Sequence, residues 1–93
     1  MYVLHLNLKI KDGEGLATER DFHGPFKAAI SKQEGFKSVA LLRPVDGGDT
    51  VLTIAFESRE LQQKWVATEL HQQVWSLMER HFAGYSLRAF EDV

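Results

Sequence analysis

His5 and Asn7 stand two residues apart in a stretch that alternates apolar and polar residues from Tyr2 to Lys11. On a strand this spacing turns both side chains to one face. A neutral imidazole placed there can take a proton from a hydroxyl, and a nearby amide can hold the oxyanion left behind. A second group lies toward the C-terminus, where His71 and Trp75 are helical neighbours at i and i+4. Trp65, a little earlier, offers a flat wall on which an aromatic ligand can stack. Buried, its indole contributes about 4–6 kcal/mol from ~150–250 Å² of apolar area. Arg43 and Arg88 are each flanked by apolar residues on predicted strands, and either can pair with a substrate anion. Each of these residues also has an ordinary structural role open to it: a polar position on a wet strand for His5 and Asn7, core for the tryptophans, a solvated edge for the arginines.

Other chemistry is poorly represented. The 4 histidines show no metal-ligand spacing, so no metal site is expected. The chain has no cysteine, which excludes disulfides and thiolate chemistry and fits a reducing, cytoplasmic setting. Gly13-x-Gly15 lacks the rest of a phosphate-binding pattern, and no nucleophile elbow is present. A net charge of −2 without any basic cluster argues against nucleic acid. No apolar run is long enough for a membrane span. Asp12, Glu14, Glu19 and Asp21 read as a solvated acidic stretch around a helix start.

The elements that must position these groups follow from periodicity. The 93 residues, 44% of them hydrophobic, suit one domain over residues 1–93. Tyr2 to Lys11 is the first strand, with Tyr2, Leu4, Leu6, Leu8 and Ile10 on an apolar face and Val3, His5, Asn7 and Lys9 on a mixed one. A helical stretch carries Phe22, Phe26 and Ile30 on one stripe. Gly24-Pro25 either kinks it or makes Pro25 the first residue of the regular helix. Gly35 is read as its stop. Phe36 to Pro44 and Thr50 to Glu57 form two strands joined through Asp46-Gly47-Gly48-Asp49. From Leu61 onward one straight helix fails, because Trp65 falls about 40° from Leu61 while Val66, Leu70, Val74, Leu77 and Met78 fall at about 140–260°. This phase slip predicts a break at Ala67–Thr68 with Thr68 capping the second piece. Gly84 is read as the stop of that piece, and Tyr85 to Glu91 as the last strand.

The order is βαββαβ, an α+β ferredoxin-like arrangement with helices on one face of an antiparallel sheet. Two helical regions cannot cover both sheet faces. The apolar face of the first strand is therefore expected to meet a second copy of the chain, which would leave the His5–Asn7 face to line the space under the helices. A one-residue slip inverts this assignment, so both faces stay open at this point.

This order, Glu34-Gly35-Phe36, the Phe56-Glu57-Ser58-Arg59-Glu60 entry and Thr68-x-x-His71 together resemble the antibiotic-biosynthesis-monooxygenase (ABM)-like domains over nearly the whole chain. Phe56 stands where a typical member has Trp. The resemblance implies a dimeric α+β barrel and, among several activities, oxidation of phenols or quinols by dioxygen without metal or flavin. Its haem-degrading branch uses a first-strand Asn, a second-helix Trp and a haem-ligating His ten positions later. Asn7 and Trp65 match the first two, but the third position is Trp75, which cannot ligate iron.

The expected function is therefore a cytoplasmic, homodimeric, cofactor-independent monooxygenase acting on a small phenolic or quinol-type aromatic. Asn7, His71 and His5 are its candidate catalytic residues, and Trp65, Trp75, Arg43 and Arg88 its candidate substrate contacts. The alternative is a non-catalytic dimeric domain that binds a small hydrophobic ligand or serves assembly.

Overall fold

A computed structural model describes residues 1–93. Strand β1 (Tyr2–Ile10) is followed by α1 (Gly15–Asp21), which runs through a π-helical turn (Phe22–Phe26) into α2 (Lys27–Ile30). Strands β2 (Phe36–Leu42) and β3 (Thr50–Phe56) come next, then α3 (Arg59–Val66), α4 (Glu69–Glu79) and β4 (Phe82–Glu91). The strands form one antiparallel sheet in the order β2-β3-β1-β4. The ferredoxin-like α+β architecture read from the sequence is the one observed. No helix is long and apolar enough to cross a membrane.

The two faces of β1 are the reverse of the expectation. Leu4, Leu6 and Leu8 are buried under the helices, while His5, Asn7 and Lys9 are exposed on the open face. Burial energy explains the outcome, since each fully buried leucine contributes about 1.5–3 kcal/mol and the mixed face offers far less. Three leucines outweigh any arrangement that turns His5 and Asn7 inward. Leu52 and Ile54 of β3 join the same core with Phe22, Phe26, Ile30, Trp65 and Met78.

Between Gly15 and Ile30 the helical path is unbroken, and it begins well before Pro25. Pro25 lacks an amide hydrogen, and in a regular α-helix its ring would press on the carbonyl four residues back. The backbone widens for one turn instead, and the Lys27 N–H reaches Phe22 O, five residues back. The helix ends at Ile30 rather than at Gly35. Gly35 serves the turn before β2, where its φ is +80° and a Cβ would lie 2.4 Å from Leu61 Cδ1. Gly84 likewise stops no helix: α4 ends at Glu79, and Gly84 lies within β4 opposite Lys9.

Candidate active site

α3 starts where Ser58, in extended conformation, accepts a hydrogen bond from Leu61 N at 3.2 Å. Its inward face then carries Leu61, Gln62 and Trp65, and both Gln62 and Trp65 are buried. The break expected at Ala67–Thr68 is present, and one hydroxyl organises it. Thr68 Oγ1 donates to Trp65 O at 2.8 Å and accepts from His71 N at 3.1 Å, ending one helix and capping the next. α4 restarts in a new phase that turns His71, Val74, Trp75 and Met78 inward. Leu70, on the stripe expected to be apolar core, is instead 41% exposed.

The restart brings three aromatic rings together. His71 lies edge-on to Trp65 at 5.1 Å between centroids and nearly parallel to Trp75, with 11° between planes at 6.4 Å. Trp75 in turn meets Phe26, Phe82 and Tyr85 at 5.4–6.2 Å. Under these rings lies a cavity of about 210 Å³, floored by Leu4, Leu6 and Ile54. It opens outward past Val66, Tyr85 and Leu87, all exposed.

Apart from the aromatic rings with polar tips, His71 and Gln62 are the polar side chains that line this cavity. His71 Nδ1 is buried and has no hydrogen-bond partner. Burial holds the His71 pKa below its ordinary value of 6.5, so the imidazole is neutral at pH 7. In the Nε2–H tautomer, Nδ1 is a free acceptor inside an aromatic wall. Gln62 Oε1 accepts from Gln63 Nε2 at 3.1 Å, which leaves the Gln62 amide N–H₂ with no protein acceptor. Beside these two, the Tyr85 hydroxyl and the indole N–H groups of Trp65 and Trp75 are neutral polar tips in an otherwise apolar lining. Gln62 was not among the residues singled out in the sequence, although its place between Leu61 and Trp65 on the helical wheel carried the signal.

The other candidates stand apart from this cavity. His5 pairs across the sheet with Arg88, and both pack against Phe90 on the open face, the His5 ring at 5.0 Å and the Arg88 guanidinium at 5.1 Å. Asn7 lies on that same face opposite Ser86. Inversion of the β1 faces takes His5 and Asn7 out of the space under the helices, and the same pairing carries Arg88 with them. Arg43 lies beyond the end of β2 and forms an ion pair with Glu19, beside a polar cleft near Lys11 and His23. Of the seven residues, the structure brings together His71, Trp65 and Trp75.

A further histidine is buried away from the cavity. His81 hydrogen-bonds Asp21 through Nε2 at 2.7 Å and Glu14 through Nδ1 at 2.8 Å, and Arg80 also reaches Asp21 at 3.0 Å. Glu14 and Asp21 are thus partners of a buried imidazole rather than members of a solvated stretch.

No family model matches the sequence, and a search of curated proteins finds no match. Solved structures are similar over the full length. A Nitrosomonas europaea protein provisionally named an antibiotic biosynthesis monooxygenase superposes with a TM-score of 0.84 at 16% identity, covering 100% of this chain and 99% of that one. SnoaB, a cofactor-independent oxygenase from Streptomyces nogalater, gives 0.85 at 15% identity over 98% and 91%. MhuD, a heme-degrader from Mycobacterium tuberculosis solved with two hemes in its active site, gives 0.78 at 26% identity over 100% and 96%. The chain has the ABM-like fold.

Proposed function

We propose that this protein is a monooxygenase that oxidises a small phenolic or quinol-type aromatic with dioxygen and needs no cofactor, in the cavity walled by Trp65, His71 and Trp75. The observation that carries this reading is the unpartnered, buried Nδ1 of His71. A buried acceptor without a partner is costly, and active sites are where such groups persist. The likeness to SnoaB supports the same reading.

Triplet dioxygen reacts poorly with closed-shell molecules but accepts single electrons from phenolates and carbanions. His71 supplies what that chemistry needs by taking the hydroxyl proton. The Gln62 N–H₂ can then hold the oxyanion, the role the sequence reading gave to Asn7. The anion passes one electron to dioxygen, the two radicals combine at a ring carbon that bears hydrogen, and the His71 imidazolium returns its proton to the peroxide to give a hydroperoxide. Loss of water, with the hydrogen of that carbon, leaves a carbonyl. One oxygen atom ends in the product and the other in water, so no outside reductant is required. Trp65 and Trp75 supply the flat walls.

The working unit in this reading is a homodimer closed through the open sheet face. That face carries Val3, Ala40, Leu42, Val51 and Phe90, with Leu42 at 51% and Phe90 at 37% exposure. The partner surface is thus the mixed face of β1 and not its leucine face.

The test is oxygen uptake with hydroquinones and naphthols, with and without a chelator. Uptake above background is expected, falling about 10²–10⁴-fold in His71→Ala. Because the His71 pKa lies below 6.5, kcat/KM should rise from acid pH with its midpoint below that value. Full activity in a folded His71→Ala protein would remove His71 from the mechanism. No uptake, with aromatics still raising the Tm, would establish the binding-domain alternative instead.

A further inference from the structure

The cavity has a chemical character that the proposed reaction alone does not require. Its lining of 11 residues includes 9 hydrophobic ones, with Gln62 and His71 as the remainder. No lysine, arginine, aspartate or glutamate reaches it. The cations that might have served are committed elsewhere: Arg88 to Phe90 on the opposite sheet face, Arg43 to Glu19, Lys64 to Glu34 on the outer side of α3. His71 is neutral and adds no positive charge.

A carboxylate entering this space would lose its water and gain only neutral donors, the Gln62 amide, the Tyr85 hydroxyl and the indole N–H groups, with no cation to pair with. Burying an unpaired charge is far costlier than burying a hydrogen-bonded hydroxyl. A hydroxyl suits the two polar groups, giving its hydrogen to His71 Nδ1 and accepting from the Gln62 amide. The volume sets a size limit as well, since about 210 Å³ is below the range of roughly 300–1,000 Å³ typical of drug-sized ligands.

We infer that the cavity selects uncharged, hydroxyl-bearing aromatics of one or two rings and rejects their carboxylated analogues and anionic macrocycles such as haem. The inference rests on the aromatic-ligand reading above, but it concerns binding and does not depend on turnover.

Isothermal titration under nitrogen separates the two. The full-length protein is titrated with 2-naphthol, 2-naphthoate and haem at pH 7.5. Naphthol should bind, with naphthoate at least about 100-fold weaker and haem not competing for the site. Val66→Arg places a guanidinium at the exposed rim and should raise naphthoate affinity at least about 10-fold, with the native circular dichroism spectrum retained. Comparable affinities for naphthol and naphthoate, no binding of naphthol, or haem displacing naphthol would each overturn the inference. So would an unchanged naphthoate affinity in a folded Val66→Arg protein. If naphthol binds selectively yet is not consumed in air, the oxygenase reading fails while the selectivity stands.

Discussion

His71 and His81 show how one side-chain type takes opposite roles through its neighbours. Around His71 there are rings and no charges, so the neutral form is favoured. His81 is held between Asp21 and Glu14, and these two hydrogen bonds raise its pKa against the opposing effects of burial and of Arg80. The same contacts lower the pKa values of Asp21 and Glu14, and Lys11 and Arg80 add to the effect on Glu14. The imidazolium's contribution to stability is therefore complete below its unfolded value of 6.5 and is lost as pH rises through the raised folded value. The carboxylates' contribution is complete above 4.5 and is lost as pH falls through their lowered values. Stability from this cluster should peak at about pH 5–6. Thermal melts of the wild type and Asp21→Asn should differ by about 1.5 kcal/mol there, and the difference should shrink as pH rises through the raised His81 value, leaving the part due to Arg80. A difference that stays constant across that range would show that protonation of His81 is not involved.

The element that decides the site is the interrupted helix. Thr68 joins α3 to α4 by a single hydroxyl, and the phase of α4 sets where His71 and Trp75 point. Thr68→Ala should cost about 1 kcal/mol, or roughly 4–8 °C in Tm for a domain of this size, by differential scanning calorimetry. Weaker ligand binding should accompany the loss, whereas Thr68→Ser should restore both. The break could be read in advance because phase is local information, carried by Trp65 against Val74 and Met78. The faces of β1 were harder to assign, since alternation separates two sets of residues without saying which is inside. Comparing apolar burial on each side would have decided it, because Leu4, Leu6 and Leu8 dominate. The His81–Asp21 contact joins residues 60 apart in sequence, and no spacing rule reaches that far. Gln62 fell between these cases, legible as a position on the inward face of α3 but not as a buried amide at the cavity.

Across the whole molecule, one sheet face carries the helices and the other carries none. The molecule measures 35 × 30 × 18 Å. Closure by a second copy would shelter the cluster of His5, Arg88 and Phe90 and leave the cavity mouth, on the helix side of β4, outside the sheet-to-sheet contact. Val3→Glu, on the open face near the start of β1, should convert a species of twice the chain mass into one of unit mass in sedimentation equilibrium. Its far-ultraviolet spectrum should be unchanged. A wild-type protein that sediments at unit mass at all concentrations would remove the dimer from the proposal.

The wide turn at Phe22–Phe26 has a bearing on all three scales. Thr18, Phe22, Phe26 and Ile30 are all buried, at a spacing of four residues. An α-helix completes a turn in about 3.6 residues, so such a series would creep around the axis by about 40° at each step and lose its aim after two or three. A turn with more residues in it creeps the other way and cancels part of the accumulated error. The single wide turn thus acts as a phase corrector, like a leap day in a calendar, and it keeps Phe26 aimed at Trp75 from a helix whose repeat would otherwise have carried it past.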